Sequence, residues 1–311
     1  MSDRLLSPIH MKVESQSYID AFHAVLQHQG WFTRSRAMLS GMTAFGFRQS
    51  VHRQLKPESS TAYNWMAENF LAADLIGVTS SQYAGFTFLP TFPLYREYVI
   101  GQIKASIDRG TPAIFWRDRF VVACGYNDET KRLYYKDGIH DDVQELPYAD
   151  YGSPPYYHLQ VLEEGMKLDP AAVYKESFLQ AVYKWEEHEL MLPREEYACG
   201  GEIYQAIIDA LASGDYDADG AVMTLEWLAA TKRDLADYMA EVQQEWAEAG
   251  KAAAHYRTLA GLMERVSASE STALQIRLLQ NAYQAESLAI RELSLLVREA
   301  AGNRFDYVGL R

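Results

Sequence analysis

The clearest chemical pattern in this chain is a run of oxygen donors late in the sequence. Asp215-Tyr-Asp217-Ala-Asp219-Gly220-Ala-Val-Met-Thr-Leu-Glu226 matches the twelve-residue calcium loop D-x-[DN]-x-[DN]-G-x5-E at every fixed position. Calcium takes hard carboxylate oxygens, so Asp215, Asp217, Asp219 and Glu226 are the candidate ligands, with Gly220 making the turn. Gly214 stands where the entering helix of such a loop presents a large apolar residue, and the pattern occurs once, whereas these sites usually work in pairs. The same letters also fit an acidic connection that caps the following helix through Asp219.

Nucleophiles and imidazoles are sparse. Cys199 lies in Tyr-Ala-Cys-Gly-Gly just before a predicted helix, a placement that can lower a thiol's pKa. Only His255 follows it in the chain, so packing is the competing use. Cys124 falls within an apolar strand and belongs to the core. His23 and His28 are five apart on one helix, about 140° from each other, which excludes a metal pair. The aromatics between Tyr83 and Tyr98 suit either a pocket lining or ordinary packing.

The elements that would carry these residues divide the chain in two. Residues 1–168 hold 16 Lys/Arg against 18 Asp/Glu, whereas 169–311 hold 13 against 24, which places most of the net charge of −13 in the second part. Helical spacing predicts helices over Tyr18–Gln29 and Leu94–Arg109. Short β-branched or aromatic runs predict strands at Ala113–Trp116, Phe120–Tyr126, Leu133–Lys136 and Tyr156–Leu162, hence α+β. Asp169-Pro170 opens an all-helical remainder with no proline after Pro193. Helices are expected to about Leu190 and over Glu202–Ala212, Gly220–Ala249, Lys251–Ala268 and Glu270–Ala300, packed as an α-helical bundle. The acidic surface disfavours nucleic acid and anionic lipid. No apolar run is long enough to span a bilayer, no secretory signal is present and two cysteines make no disulfide framework, so a cytoplasmic protein is expected.

Three segments bear a family resemblance. Ser17-Tyr-Ile-Asp-Ala-Phe-His-Ala-Val-Leu-Gln-His-Gln-Gly30 resembles the nucleophile helix of the papain-like cysteine peptidases that process double-glycine leaders. In that family a glycine follows the cysteine by thirteen residues. Gly110-Thr-Pro-Ala-Ile-Phe and Phe120-Val-Val-Ala-Cys-Gly-Tyr-Asn-Asp128 are similar to its glycine-proline strand and its later histidine-bearing strand. Ala37-Met-Leu-Ser-Gly-Met-Thr-Ala-Phe-Gly-Phe47 is similar to the glycine-rich segment of the family of the butirosin biosynthesis protein H N-terminal domain, papain-like acyltransferases of aminoglycoside biosynthesis. Relatives in that family carry a helical C-terminal region, whose opening Gly201-Glu-Ile-Tyr-Gln-Ala-Ile-Ile-Asp-Ala-Leu211 resembles.

The resemblance implies a papain-like domain over 1–168 followed by the bundle over 169–311, and a triad mapped onto Ser17, Arg119 and Asp137. A thiolate at a helix start, an imidazole base and an orienting group are what the chemistry requires. Serine here replaces the thiol, and a permanently protonated arginine replaces the base. The expectation is therefore a catalytically degenerate relative that binds a small molecule, peptide, acyl carrier or partner protein. An acyltransferase or amide hydrolase with a non-standard nucleophile is the alternative. A third reading has the helical stripes assembling a homodimer.

Overall fold

The structure, a computed structural model, describes residues 4–298. In chain order the elements are β1 (Arg4–Leu5), α1 (Ser17–Gln29), α2 (Arg36–Met42), β2 (Ser50–His52), α3 (Trp65–Leu75), β3 (Val78–Phe86), α4 (Phe92–Asp108), β4 (Ala113–Trp116), β5 (Phe120–Asn127), β6 (Arg132–Lys136), β7 (Gln144–Pro147) and β8 (Tyr156–Gly165). Then follow α5 (Pro170–Glu186), β9 (Tyr197–Cys199), α6 (Ile203–Ser213), α7 (Ala218–Glu245), α8 (Gly250–Ser267) and α9 (Thr272–Leu296). The chain is mixed helix and sheet, as expected, and forms two compact units, residues 1–36 with 77–167 and residues 37–76 with 168–311.

The first unit is built on one antiparallel seven-stranded sheet, ordered β3-β8-β4-β5-β6-β7, with β1 added beside β5. Its central strands are buried on both faces, so their sequences read as continuous apolar runs. Strand alternation sends Phe115, Val121, Leu159 and Val161 into one core with Val99, Ile103 and Ile107 of α4. The opposite parity meets α1: Tyr18 packs edge-on against Phe120, with ring centres 5.4 Å apart. That second face is partly polar. The Tyr18 hydroxyl donates to Gln160 Oε1 (2.9 Å), and Gln160 Nε2 donates to Ser80 Oγ (3.1 Å). Helix α1 ends where Gly30 takes a left-handed conformation and its N–H caps the last turn.

The second unit packs α5 to α9 around buried aromatics, chiefly Phe178, Tyr204, Tyr238 and Tyr256. Phe178 stacks on Trp246 at 5.6 Å, and the Tyr238 hydroxyl meets Ser177 Oγ at 2.7 Å. Inside lies a charged pair, each side chain only 1% exposed: Lys232 Nζ donates to Glu286 Oε1 at 2.6 Å. Gln49 Oε1 accepts a second hydrogen bond from Lys232 Nζ, and the Tyr204 hydroxyl donates to the other Glu286 oxygen. Burial pushes the Lys232 ammonium toward its neutral form, and Glu286 opposes that shift.

One division between the units lies at Lys167/Leu168, and residues 37–76 fold with the helices rather than with the rest of the first stretch. The glycine-rich segment explains this. A Cβ at Gly41 would lie 2.1 Å from the Tyr238 ring, and one at Gly46 would lie 2.9 Å from Leu235, so both glycines let the segment press onto α7. Strand β2 then pairs with β9, Ser50 opposite Cys199, so the second unit is not wholly helical.

Candidate functional site

Ser17 is the first residue of α1, and half-buried. Its Oγ accepts a hydrogen bond from the backbone N–H of Phe120 at 3.2 Å. The helix start and the turn between β4 and β5 are thus brought together, and Arg119 is adjacent in the chain to Ser17's partner. The Arg119 guanidinium turns to its neighbour instead, with Nη2 3.1 Å from Asp118 Oδ2.

Asp137 is committed elsewhere. Its carboxylate accepts from the N–H groups of Ile139 (3.0 Å) and His140 (2.9 Å) and from His140 Nδ1–H (2.6 Å). Burial pushes this carboxyl up, but the His140 and Ile139 hydrogen bonds outweigh it and hold the group at about 2. Asp137 therefore organises its own turn.

An imidazole that sequence reasoning passed over shares a contact with the partner of Ser17. His158 on β8 is fully buried, its ring set edge-on against Phe120 with centres 5.5 Å apart. Its Nε2–H donates to Gln82 Oε1 at 3.0 Å. Burial lowers its pKa to about 3, so the ring stays neutral and is a weak base. The sequence signal was its position at the alternate parity of an apolar strand, where a polar residue must find partners.

The carboxylates of 215–226 do not form a loop. Helix α7 starts at Ala218, so Asp219, Gly220 and Glu226 are helical, with Glu226 about 12 Å along the axis from Ala218. Asp217, rather than Asp219, caps the helix, its Oδ1 accepting from the Gly220 N–H at 2.6 Å. Gly220 is explained by close approach: a Cβ there would lie 2.2 Å from the Leu55 carbonyl oxygen. Among the described residues no group of three or more His, Cys, Asp or Glu side chains converges to hold a metal ion.

Cys199 is buried, and burial pushes its thiol up while the Glu189 N–H opposes. It stays protonated rather than becoming a thiolate. It does line a cavity of about 730 Å3 within the second unit, together with His188, eleven residues earlier in the chain, and with Arg48. His188 is engaged with its own loop, Nε2–H donating to the Leu192 carbonyl at 2.9 Å.

Arg48 is the unusual member of that wall. It is 5% exposed, with its guanidinium carbon 3.8 Å from the centre of the Tyr63 ring and 4.8 Å from that of Phe45. Nη2 reaches the Ser60 carbonyl at 3.4 Å, while buried Nε and Nη1 have no hydrogen-bond partner. Each such buried donor costs about 1–3 kcal/mol. Arg48 follows the glycine-rich segment directly, and nothing in its spacing distinguished it from a surface arginine. Of the aromatics after Tyr83, Phe92 packs in the core, whereas Phe86 meets Phe88 at 5.1 Å and Tyr156 at 5.5 Å, with all three of these rings exposed.

No protein-family model matches this chain, and no curated protein matches it. Among the described residues no helix is long and apolar enough to cross a membrane.

Proposed function

We propose that the sheet-bearing unit is a papain-like domain that has lost catalysis, and that the protein acts by binding a small molecule, peptide or partner. The supporting observation is the environment of Ser17. Its hydroxyl sits at a helix start beside the β4–β5 turn, where the resemblance puts a nucleophile, but its oxygen meets the backbone N–H of Phe120 and the adjacent Arg119 faces Asp118. An N–H donor aimed at the oxygen does nothing to remove its proton, and arginine cannot serve as the base.

The alternative, an acyltransferase or amide hydrolase with a non-standard nucleophile, draws on one contact. His158 packs on Phe120, the residue whose N–H meets Ser17. A pKa lowered to about 3 makes that imidazole a poor general base near neutral pH, which favours the first reading.

Incubation with a fluorophosphonate or an activated ester, followed by intact-mass measurement, decides between them. The expected result is no adduct on Ser17. An adduct lost in Ser17→Ala and in His158→Gln would overturn the degenerate reading and establish the enzyme.

A further inference from the structure

The cavity in the helical unit has a charge arrangement that stacking alone does not explain. Arg48 is deep in the wall, and its guanidinium makes one long hydrogen bond, to the Ser60 carbonyl. The fields of two acids, Glu68 and Glu189, reach it, but neither is its partner. Glu68 gives both oxygens to Lys184 Nζ, at 2.7 and 2.6 Å, and Glu189 Oε1 accepts from the Met191 N–H at 3.5 Å. Among the described residues neither acid pairs with Arg48 within 4.0 Å. A guanidinium packed against the edge-to-face Tyr63 and Phe45 rings, with two donors lacking acceptors, has hydrogen-bonding capacity left for an oxyanion.

The rest of the wall selects among oxyanions. Lys184 is neutralised by Glu68, whereas Asp74, Glu187 and Glu189 add three further carboxylates. A purely anionic ligand would be attracted by Arg48 and repelled by these acids, while a ligand that also carries an ammonium group satisfies both. Phe70, Leu71 and Leu190 supply apolar wall for the body of such a molecule. The volume of about 730 Å3 is large enough for more than one amino-acid residue.

We propose that this cavity binds a small zwitterion with an apolar body, an amino-acid-like or short-peptide ligand, its carboxylate on the Arg48 guanidinium and its ammonium group toward Glu189 and its neighbours. The site lies wholly within residues 37–76 and 168–311, so it is independent of the chemistry of Ser17.

The test uses the full chain and three probes at millimolar concentration: the dipeptide phenylalanyl-leucine, its C-terminal amide and its N-acetyl derivative. Affinity is read by calorimetry, with thermal melting as a second measure. The free dipeptide is expected to bind, and blocking either end to weaken binding about tenfold or more. Arg48→Gln should abolish the preference for the free carboxylate. Leu71→Trp, which fills the cavity without touching the charges, should abolish binding altogether and keeps the test informative if Arg48→Gln does not fold. Equal binding of the amide would overturn the role of Arg48, and equal binding of the acetylated peptide would overturn the zwitterion. Failure of all three probes to bind would overturn the site. A Ser17 adduct with acyl probes would bear on catalysis alone.

Discussion

The Phe120 N–H donates to Ser17 Oγ across 3.2 Å, tying the first residue of α1 to the first residue of β5. The bond links residues more than a hundred positions apart and accounts for a half-buried serine without invoking catalysis. Ser17→Ala removes the acceptor and leaves the Phe120 N–H short of a partner, so it should cost about 1–2 kcal/mol in denaturant unfolding. Ser17→Cys should retain most of the stability, since sulfur still accepts weakly.

His158 gives the sheet unit a distinct acid response. Its pKa is lowered by burial to about 3, against about 6.5 in the unfolded chain. The unfolded state therefore binds the extra proton first as pH falls, and stability declines from about pH 6.5 toward pH 3. Above that window the contribution is constant. His158→Gln preserves a hydrogen-bonding side chain without the titration, so melting measured between pH 7 and 4 should fall less steeply than in the parent protein.

At the start of α7, intrinsic propensity and tertiary packing predict opposite signs. Alanine in place of a helical glycine ordinarily stabilises by about 1 kcal/mol. Gly220→Ala should instead destabilise, because its Cβ would lie 2.2 Å from the Leu55 carbonyl oxygen. Asp217→Ala removes the cap on Gly220 N–H and should cost about 1 kcal/mol. Both effects should be the same in chelator and in millimolar calcium; a calcium-dependent melting temperature abolished by Asp217→Ala would instead support a metal site.

The buried Lys232–Glu286 pair should be intolerant of half-measures. Lys232→Met leaves Glu286 charged among apolar helices with only the Tyr204 hydroxyl, and should cost about 3–5 kcal/mol. The double change Lys232→Met with Glu286→Leu should recover much of that loss, which a double-mutant cycle by chemical denaturation would measure.

Local regularity was legible in the amino-acid order. The strand at Ala113–Trp116 matches its expected bounds, and α1, α4 and the last four helices fall within a few residues of theirs, because period and caps act over one or two turns. The expected end of the last helix at residue 300 lies outside the described residues. Strand β3 was missed: Val78–Phe86 is rich in small and polar residues and is a strand through its ladder with β8.

What the sequence by itself determined was the α+β character, the charge split and the absence of a thiol and an imidazole at the positions marked by the resemblance. The tertiary structure alone decided which partners each polar group has. It drew residues 37–76 into the helical unit through Gly41 and Gly46. It made Asp217 the cap of α7, turned Asp137 onto His140, and buried Arg48 against two rings beside a cavity. The reason is physical: helix and strand formation reads neighbours in the chain, whereas burial and hydrogen-bond satisfaction depend on distant segments meeting in space.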